Sequence, residues 1–119
     1  MKVLYVSNEV APFAKVGGLA VFGADLPTGL ARRGVDIRVV MPLHRKKIHF
    51  DKGCLRVWPL GVQTPYRALV ASVLQSSLPG SDVPVYFIKY DPFFDRPDPY
   101  GEGSTDYADS PQRYAFFAR

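Results

Sequence analysis

An α/β fold organised around a parallel sheet is what this chain of 119 residues predicts, and three observations carry that expectation. Val3, Leu4, Tyr5 and Val6 form an unbroken apolar run near the start, which is how a strand buried on both faces of a sheet reads. A helix-period pattern follows from Leu19, and a second apolar strand begins at Val35. Strand, helix and strand joined by short connections make a right-handed βαβ unit.

The chain length allows one domain with a real core and leaves little room for a second. A hydrophobic fraction of 47% with 22% charged residues excludes wholesale disorder, and the apolar runs are too short to span a bilayer. The opening Met-Lys-Val-Leu-Tyr-Val-Ser-Asn-Glu turns polar after six positions without a small-residue cleavage site, so a cytoplasmic protein is expected, with no membrane partner. Cys54 is the only cysteine, which rules out an internal disulfide or a cysteine-based zinc site. A net charge of +4 fits nucleic acid, sugar nucleotides or phosphates equally and decides nothing alone.

Strand one covers Lys2 to Ser7. The segment Asn8 to Gly18 then holds Pro12 and the Gly17-Gly18 pair, poor residues for extending a strand or helix, so it is expected to be a loop at the carboxyl end of that strand. From Leu19 to Arg33, the residues Leu19, Phe22, Leu26 and Leu30 fall at helical spacing and predict a buried face. Pro27 interrupts this helix, and Arg32, Arg33 and Gly34 suit its end. Val35 to Met41 is the second strand. His44 to Lys52 reads as a basic surface loop. Leu55 to Val62 and Tyr66 to Leu74 read as a β-hairpin insertion turning near Thr64-Pro65. A turn at Pro79 to Asp82 precedes a further strand, Val83 to Lys89, and Tyr90 to Ala108 is a long loop. Ser110 to Arg119 reads as a helix that is cut short, with Tyr114, Phe117 and Ala118 on one face, so a fragment is expected.

Ligands in an open parallel sheet bind beyond the carboxyl ends of its strands. The loop from Asn8 to Gly18 is in that place. Gly17 and Gly18 have no side chain to block a phosphate, the helix beginning near Leu19 offers backbone N–H groups, and Lys15 adds a charge beside them. On composition alone the glycines equally read as relief of crowding in a turn. No G-x-G-x-x-G follows the first strand and no G-x-x-x-x-G-K-[ST] occurs anywhere, which disfavours dinucleotide dehydrogenases and P-loop nucleotidases.

The stretch Glu9-Val-Ala-Pro-Phe-Ala-Lys15-Val-Gly17-Gly18-Leu19-Ala20, after an M-K-V-L-Y-V strand, resembles the signature of bacterial glycogen synthases and plant starch synthases. The similarity continues through Leu26-Pro27, the Val-Asp-Ile-Arg-Val-Val-Met-Pro strand, Phe94-Asp95-Arg96-Pro97 with Tyr100, and Asp106-Tyr107-Ala108-Asp109 before Arg113-Tyr114; His44 to Ser81 matches only in outline. The resemblance implies the incomplete N-terminal, Rossmann-like half of a two-domain GT-B glycosyltransferase, residues 1–119 being that domain truncated at its C-terminal end. It implies a retaining enzyme that transfers glucose from ADP-glucose, or UDP-glucose in some members, to the non-reducing end of an α-1,4-glucan without metal or other cofactor. It implies that Lys15, Gly17 and Gly18 bind the donor, that Glu9 and Tyr100 line the cleft, with Glu9 orienting sugar hydroxyls, and that the chain alone is inactive without its second domain. Val21 departs from the family, which commonly has Asp there; the nearest carboxylate, Asp25, lies about 5.4 Å further along the helix. Asn8 and Ser110 stand where Ser and Asn are usual.

A different class stays open beside this one: a stand-alone, non-catalytic α/β module that binds a nucleotide sugar or phosphate, or an interaction module. The run His44, Arg45, Lys46, Lys47, His49, Lys52 has only Phe50 as an interleaved aromatic, so a solvated loop is expected rather than a nucleic-acid partner. Neither histidine has the spacing of a metal motif. Tyr90, Phe93, Phe94, Tyr100 and Tyr107 are expected mainly to pin the long loop, and Asp109 to cap the last helix.

Overall fold

In the computed structural model, which describes residues 1–45, 48 and 56–119, a five-stranded sheet runs in the order β1-β2-β5-β4-β3. Strands β1 (Lys2–Val6), β2 (Asp36–Pro42) and β5 (Pro84–Lys89) are mutually parallel, Val3 facing Ile37 and Val39 facing Val85. Between β2 and β5 in sequence, β3 (Arg56–Gln63) and β4 (Ala68–Ser77) form the expected hairpin and extend the sheet antiparallel beyond β5. The carboxyl ends of all three parallel strands therefore lie on one edge. The loops after Val6, Pro42 and Lys89 share that rim.

Helix α1 (Gly18–Arg32) ends in a Schellman arrangement that the sequence signals with Gly34. Gly34 takes φ +83° and donates to Ala31, while Val35 donates to Leu30 at 3.1 Å. The helix covers a core of Val10, Ile37, Val39, Met41, Val83, Val85 and Phe87. Its buried residues are Ala20, Gly23 and Pro27.

That corrects the predicted face. Leu19 and Phe22 are 47% and 55% exposed, and of the four only Leu30 packs against this core, half-buried. Small residues win because the helix lies directly on the loop after β1. A Cβ on Gly23 would stand 3.1 Å from the Glu9 carbonyl oxygen and 3.2 Å from Val10 Cγ2. Even a methyl group at that crossing would require its neighbours to shift by a few tenths of an ångström.

The both-faces-buried reading of β1 is also corrected. Leu4 and Val6 are 61% and 54% exposed, while Val3 and Tyr5 pack against the core. β1 is an edge strand, and α1 covers one face of it only.

A second cluster joins the hairpin to the segment after β5. Val62 and Ala71 meet Phe94 of the short helix α2 (Asp91–Phe94) and Phe116 of α3 (Ser110–Phe117). The Phe116 ring stands 4.9 Å from Tyr90 and 5.5 Å from Phe93. The aromatic residues thus pin this segment, as expected, although it is not one continuous loop: α2 and a small ribbon, β6 (Gly101–Glu102) with β7 (Thr105–Asp106), interrupt it. The buried face of α3 carries Arg113 and Phe116, not the expected Tyr114, Phe117 and Ala118. Asp109 makes no side-chain cap; both its oxygens take Arg96, at 2.6 and 2.5 Å, which holds its carboxyl below the usual range. A bidentate guanidinium is the stronger partner for a carboxylate.

The expected surface loop after β2 begins inside the protein. His44 is 1% exposed, and Leu43 and Ile48 are buried with it. The apolar pattern of β2 runs on through Leu43, whose N–H donates to Ile88, and carries His44 inward. Arg45 is exposed and pairs with Asp91 at 2.6 Å. Lys46, Lys47, His49, Lys52, Phe50 and Cys54 lie outside the described residues.

Candidate functional site

The rim at the strand ends brings Glu9, Lys15, Gly17 and Gly18 together with Tyr100. Glu9 is set by the loop after β1: the Ser7 hydroxyl donates to its carbonyl at 2.9 Å. Its side chain is 2% exposed, and Oε1 accepts from the N–H groups of Gly17 at 3.0 Å and Ala20 at 3.2 Å. Glycine at the N-cap has no side-chain acceptor for the free N–H groups of the first turn, and Glu9 supplies one from eight residues upstream. The carboxylate also complements the positive end of the helix. The resemblance implies that Glu9 lines the cleft; in this structure its buried carboxylate fastens the glycine turn. Replacing Glu9 by Ala is expected to lower unfolding free energy by about 1–2 kcal/mol, with Gln losing less because it keeps an acceptor. Urea titration of both variants checks the order.

Gly18 and Leu19 keep N–H groups without a protein acceptor among the described residues. A Cβ on Gly18 would meet nothing within 4 Å, and one on Gly17 would meet only Glu9 Oε1 at 3.9 Å. Gly17 is extended, at φ −148°. The pair therefore relieves neither crowding nor strain inside this chain. Lys15 is exposed beside them and has no ion-pair partner among the described residues. Val21 is partly exposed on the next turn, and Asp25 is exposed.

Tyr100 comes from the segment after β5. Its hydroxyl lies close enough to Asn8 and Glu9 for both to act on it, and its ionisation is pushed up, chiefly by burial. Asn8 sits between the elements: its amide donates to the Tyr114 hydroxyl at 3.4 Å, and its carbonyl accepts from His44 Nε2 at 2.8 Å. His44 thus carries its proton on Nε2 and ties the end of β2 to the residue next to Glu9. Burial lowers its pKa to about 4, with the Arg113 charge acting in the same direction. Neither His44 nor Arg113 was singled out as part of the site in the sequence.

Chemically, the rim offers two unpaired backbone donors at a helix start, one free ammonium group, an open approach over Gly18, and a phenol. Such an arrangement can hold an anion. No described helix is long and apolar enough to cross a membrane.

A sheet whose three parallel strands end on one rim, with a glycine turn leading from the first strand into the first helix, defines a Rossmann-like α/β domain. The family description "starch synthase catalytic domain" matches residues 2–119, and the chain belongs to that family. It is 42% identical over 121 residues to the glycogen synthase of Syntrophotalea carbinolica, covering all of this chain and 24% of that protein. Glycogen synthase 2 of Geobacter sulfurreducens is 41% identical over 126 residues, again with full coverage here and 24% there. The fold matches the catalytic domain of starch synthase IV from Arabidopsis thaliana, solved bound to ADP and acarbose, with a TM-score of 0.80 at 26% identity, covering 99% of this chain and 24% of that one. The chain thus spans about a quarter of the length of the relatives it matches, and the architecture is part of their GT-B fold.

Proposed function

We propose that this chain forms the N-terminal wall of the donor cleft of a glucosyltransferase that moves glucose from ADP-glucose to the non-reducing end of an α-1,4-glucan. The observation that carries the reading is the open approach over Gly17 and Gly18, flanked by the unpaired N–H groups of Gly18 and Leu19 and by Lys15. A diphosphate is the group that needs such an arrangement, and ADP and acarbose in the Arabidopsis structure support nucleotide sugar and glucan as the two substrates.

In this reading Lys15 and the helix N–H groups meet the charge of the departing nucleotide, with no metal taking part, and the stabilisation is electrostatic. Tyr100 faces the sugar end of the donor. Glu9 keeps the glycine turn in shape and touches the sugar only through it. The opposite wall comes from a second α/β domain, the whole enzyme is cytoplasmic, and this chain by itself transfers nothing.

The test is a titration of the ¹⁵N-labelled chain with ADP and ADP-glucose. Amide shifts are expected at Lys15 and at Gly17 to Leu19 and not at the β3–β4 turn. Shifts spread evenly over the surface, or none up to millimolar ADP, would sink the donor-wall reading.

A further inference from the structure

Arg113 is the largest fully buried side chain among the described residues, and no carboxylate lies within ion-pair distance of it among them. Its charge is costly there: burial lowers its pKa, and an apolar side chain of similar volume would fill the space without that cost. What an apolar side chain cannot do is hold carbonyl groups. Arg113 Nε donates to the Phe93 carbonyl at 2.7 Å and Nη2 to the Pro99 carbonyl at 3.0 Å. These two acceptors bracket the stretch that leads from α2 to Tyr100.

The grip continues on the other side of Tyr100. Its carbonyl accepts from the Tyr107 N–H at 3.2 Å, and the Tyr107 hydroxyl donates to the Asp98 carbonyl at 3.0 Å. Two guanidinium groups lie over the Tyr107 ring, Arg113 at 4.8 Å and Arg96 at 4.7 Å. Arg113 also lies 5.7 Å from the ring of Tyr114, the residue whose hydroxyl receives the Asn8 amide. A planar fork with several donors suits this task, because it reaches two carbonyls and stacks on a ring at once.

We propose that Arg113 is a positioning residue: by holding the Phe93 and Pro99 carbonyls it fixes Tyr100 against Asn8 and Glu9 at the rim. The proposal rests on the donor-wall reading for its functional meaning, but its geometry is separately measurable. Arg113 acts from behind the rim, through the backbone at Pro99, and touches no substrate.

The experiment uses the full chain with labelled tyrosine and compares Arg113→Lys and Arg113→Met with the parent by NMR, under conditions where circular dichroism shows each folded. Nuclear Overhauser contacts from the Tyr100 ring to the Asn8 side chain are expected to weaken several-fold in Arg113→Met and by less in Arg113→Lys. Tyr66, fully solvated at the hairpin turn, serves as the control that should not move. A residue that only stabilises the fold would lower the melting temperature and leave the Tyr100 contacts of the folded population as they were; that result overturns the proposal. Arg113→Lys keeps the charge and reaches one carbonyl, so it carries the test where Arg113→Met does not fold. ADP titration of the parent chain separates the two readings: absent ADP shifts with weakened Tyr100 contacts remove the donor wall and leave the positioning intact.

Discussion

Lys15→Ala is expected to reduce kcat/KM for ADP-glucose by about 10²–10³-fold, measured in a complete synthase made by joining this chain to the remainder of the Syntrophotalea carbinolica relative. The size follows from what the side chain does in the proposed reaction. Negative charge grows on the departing diphosphate as the bond to glucose breaks, and a positive group placed there beforehand stabilises that state more than the bound donor. The loss should therefore fall on kcat more than on KM. Lys15→Arg should recover part of the rate, since it restores the charge with a different donor geometry. Stability should hardly change, because Lys15 is exposed and unpaired among the described residues. A Lys15→Ala enzyme within about threefold of the parent would contradict the assignment of this cation to the donor phosphates.

Much of the fold was legible because strand positions and helix ends are local properties. The apolar runs at Val3 and Val83, the Gly34 stop after Arg33 and the Pro79 to Asp82 turn all report on their own neighbourhoods, and the hairpin between β3 and β4 follows from its turn residues. What escaped is decided by contacts between distant segments. Apolar spacing picked Leu19 and Phe22 for the core, whereas the helix buries Ala20, Gly23 and Pro27, and Gly23 sits tight against Glu9 and Val10. The Glu9 cap had one sequence trace, a glycine pair ahead of the helix with no capping side chain of its own, but nothing in the pattern says which residue supplies the acceptor. Lys15, Gly17 and Gly18 could be read as neighbours because the turn and the helix start are contiguous. Arg113 was not, since a buried cation gives no period and its two acceptors are carbonyls lying 20 and 14 residues away.

His44 yields the second large effect, a pH dependence of stability. Its pKa in the folded chain is about 4 against 6.5 for the free side chain, because burial disfavours the imidazolium and Arg113 repels it. Between those values the unfolded chain binds the proton and the folded chain does not. Stability from this residue is therefore complete above about pH 6.5, falls as the pH drops through 4, and levels off below that. The full difference is about 3 kcal/mol, a large share of the 5–15 kcal/mol typical of a domain. His44→Gln keeps a donor for the Asn8 carbonyl and removes the titration. Comparing urea unfolding of the two chains at pH 7 and pH 4 cancels the carboxylates common to both, including Asp109. The parent should lose about 3 kcal/mol more than the variant across that interval. Because the proton sits on the bond to Asn8, the same protonation leaves that bond in place while charging a pocket next to Arg113, so the strain should appear first as faster amide exchange around Asn8 and Glu9. Equal losses in the two chains would mean that His44 is solvated enough to charge freely, and that Asn8 is held by something else.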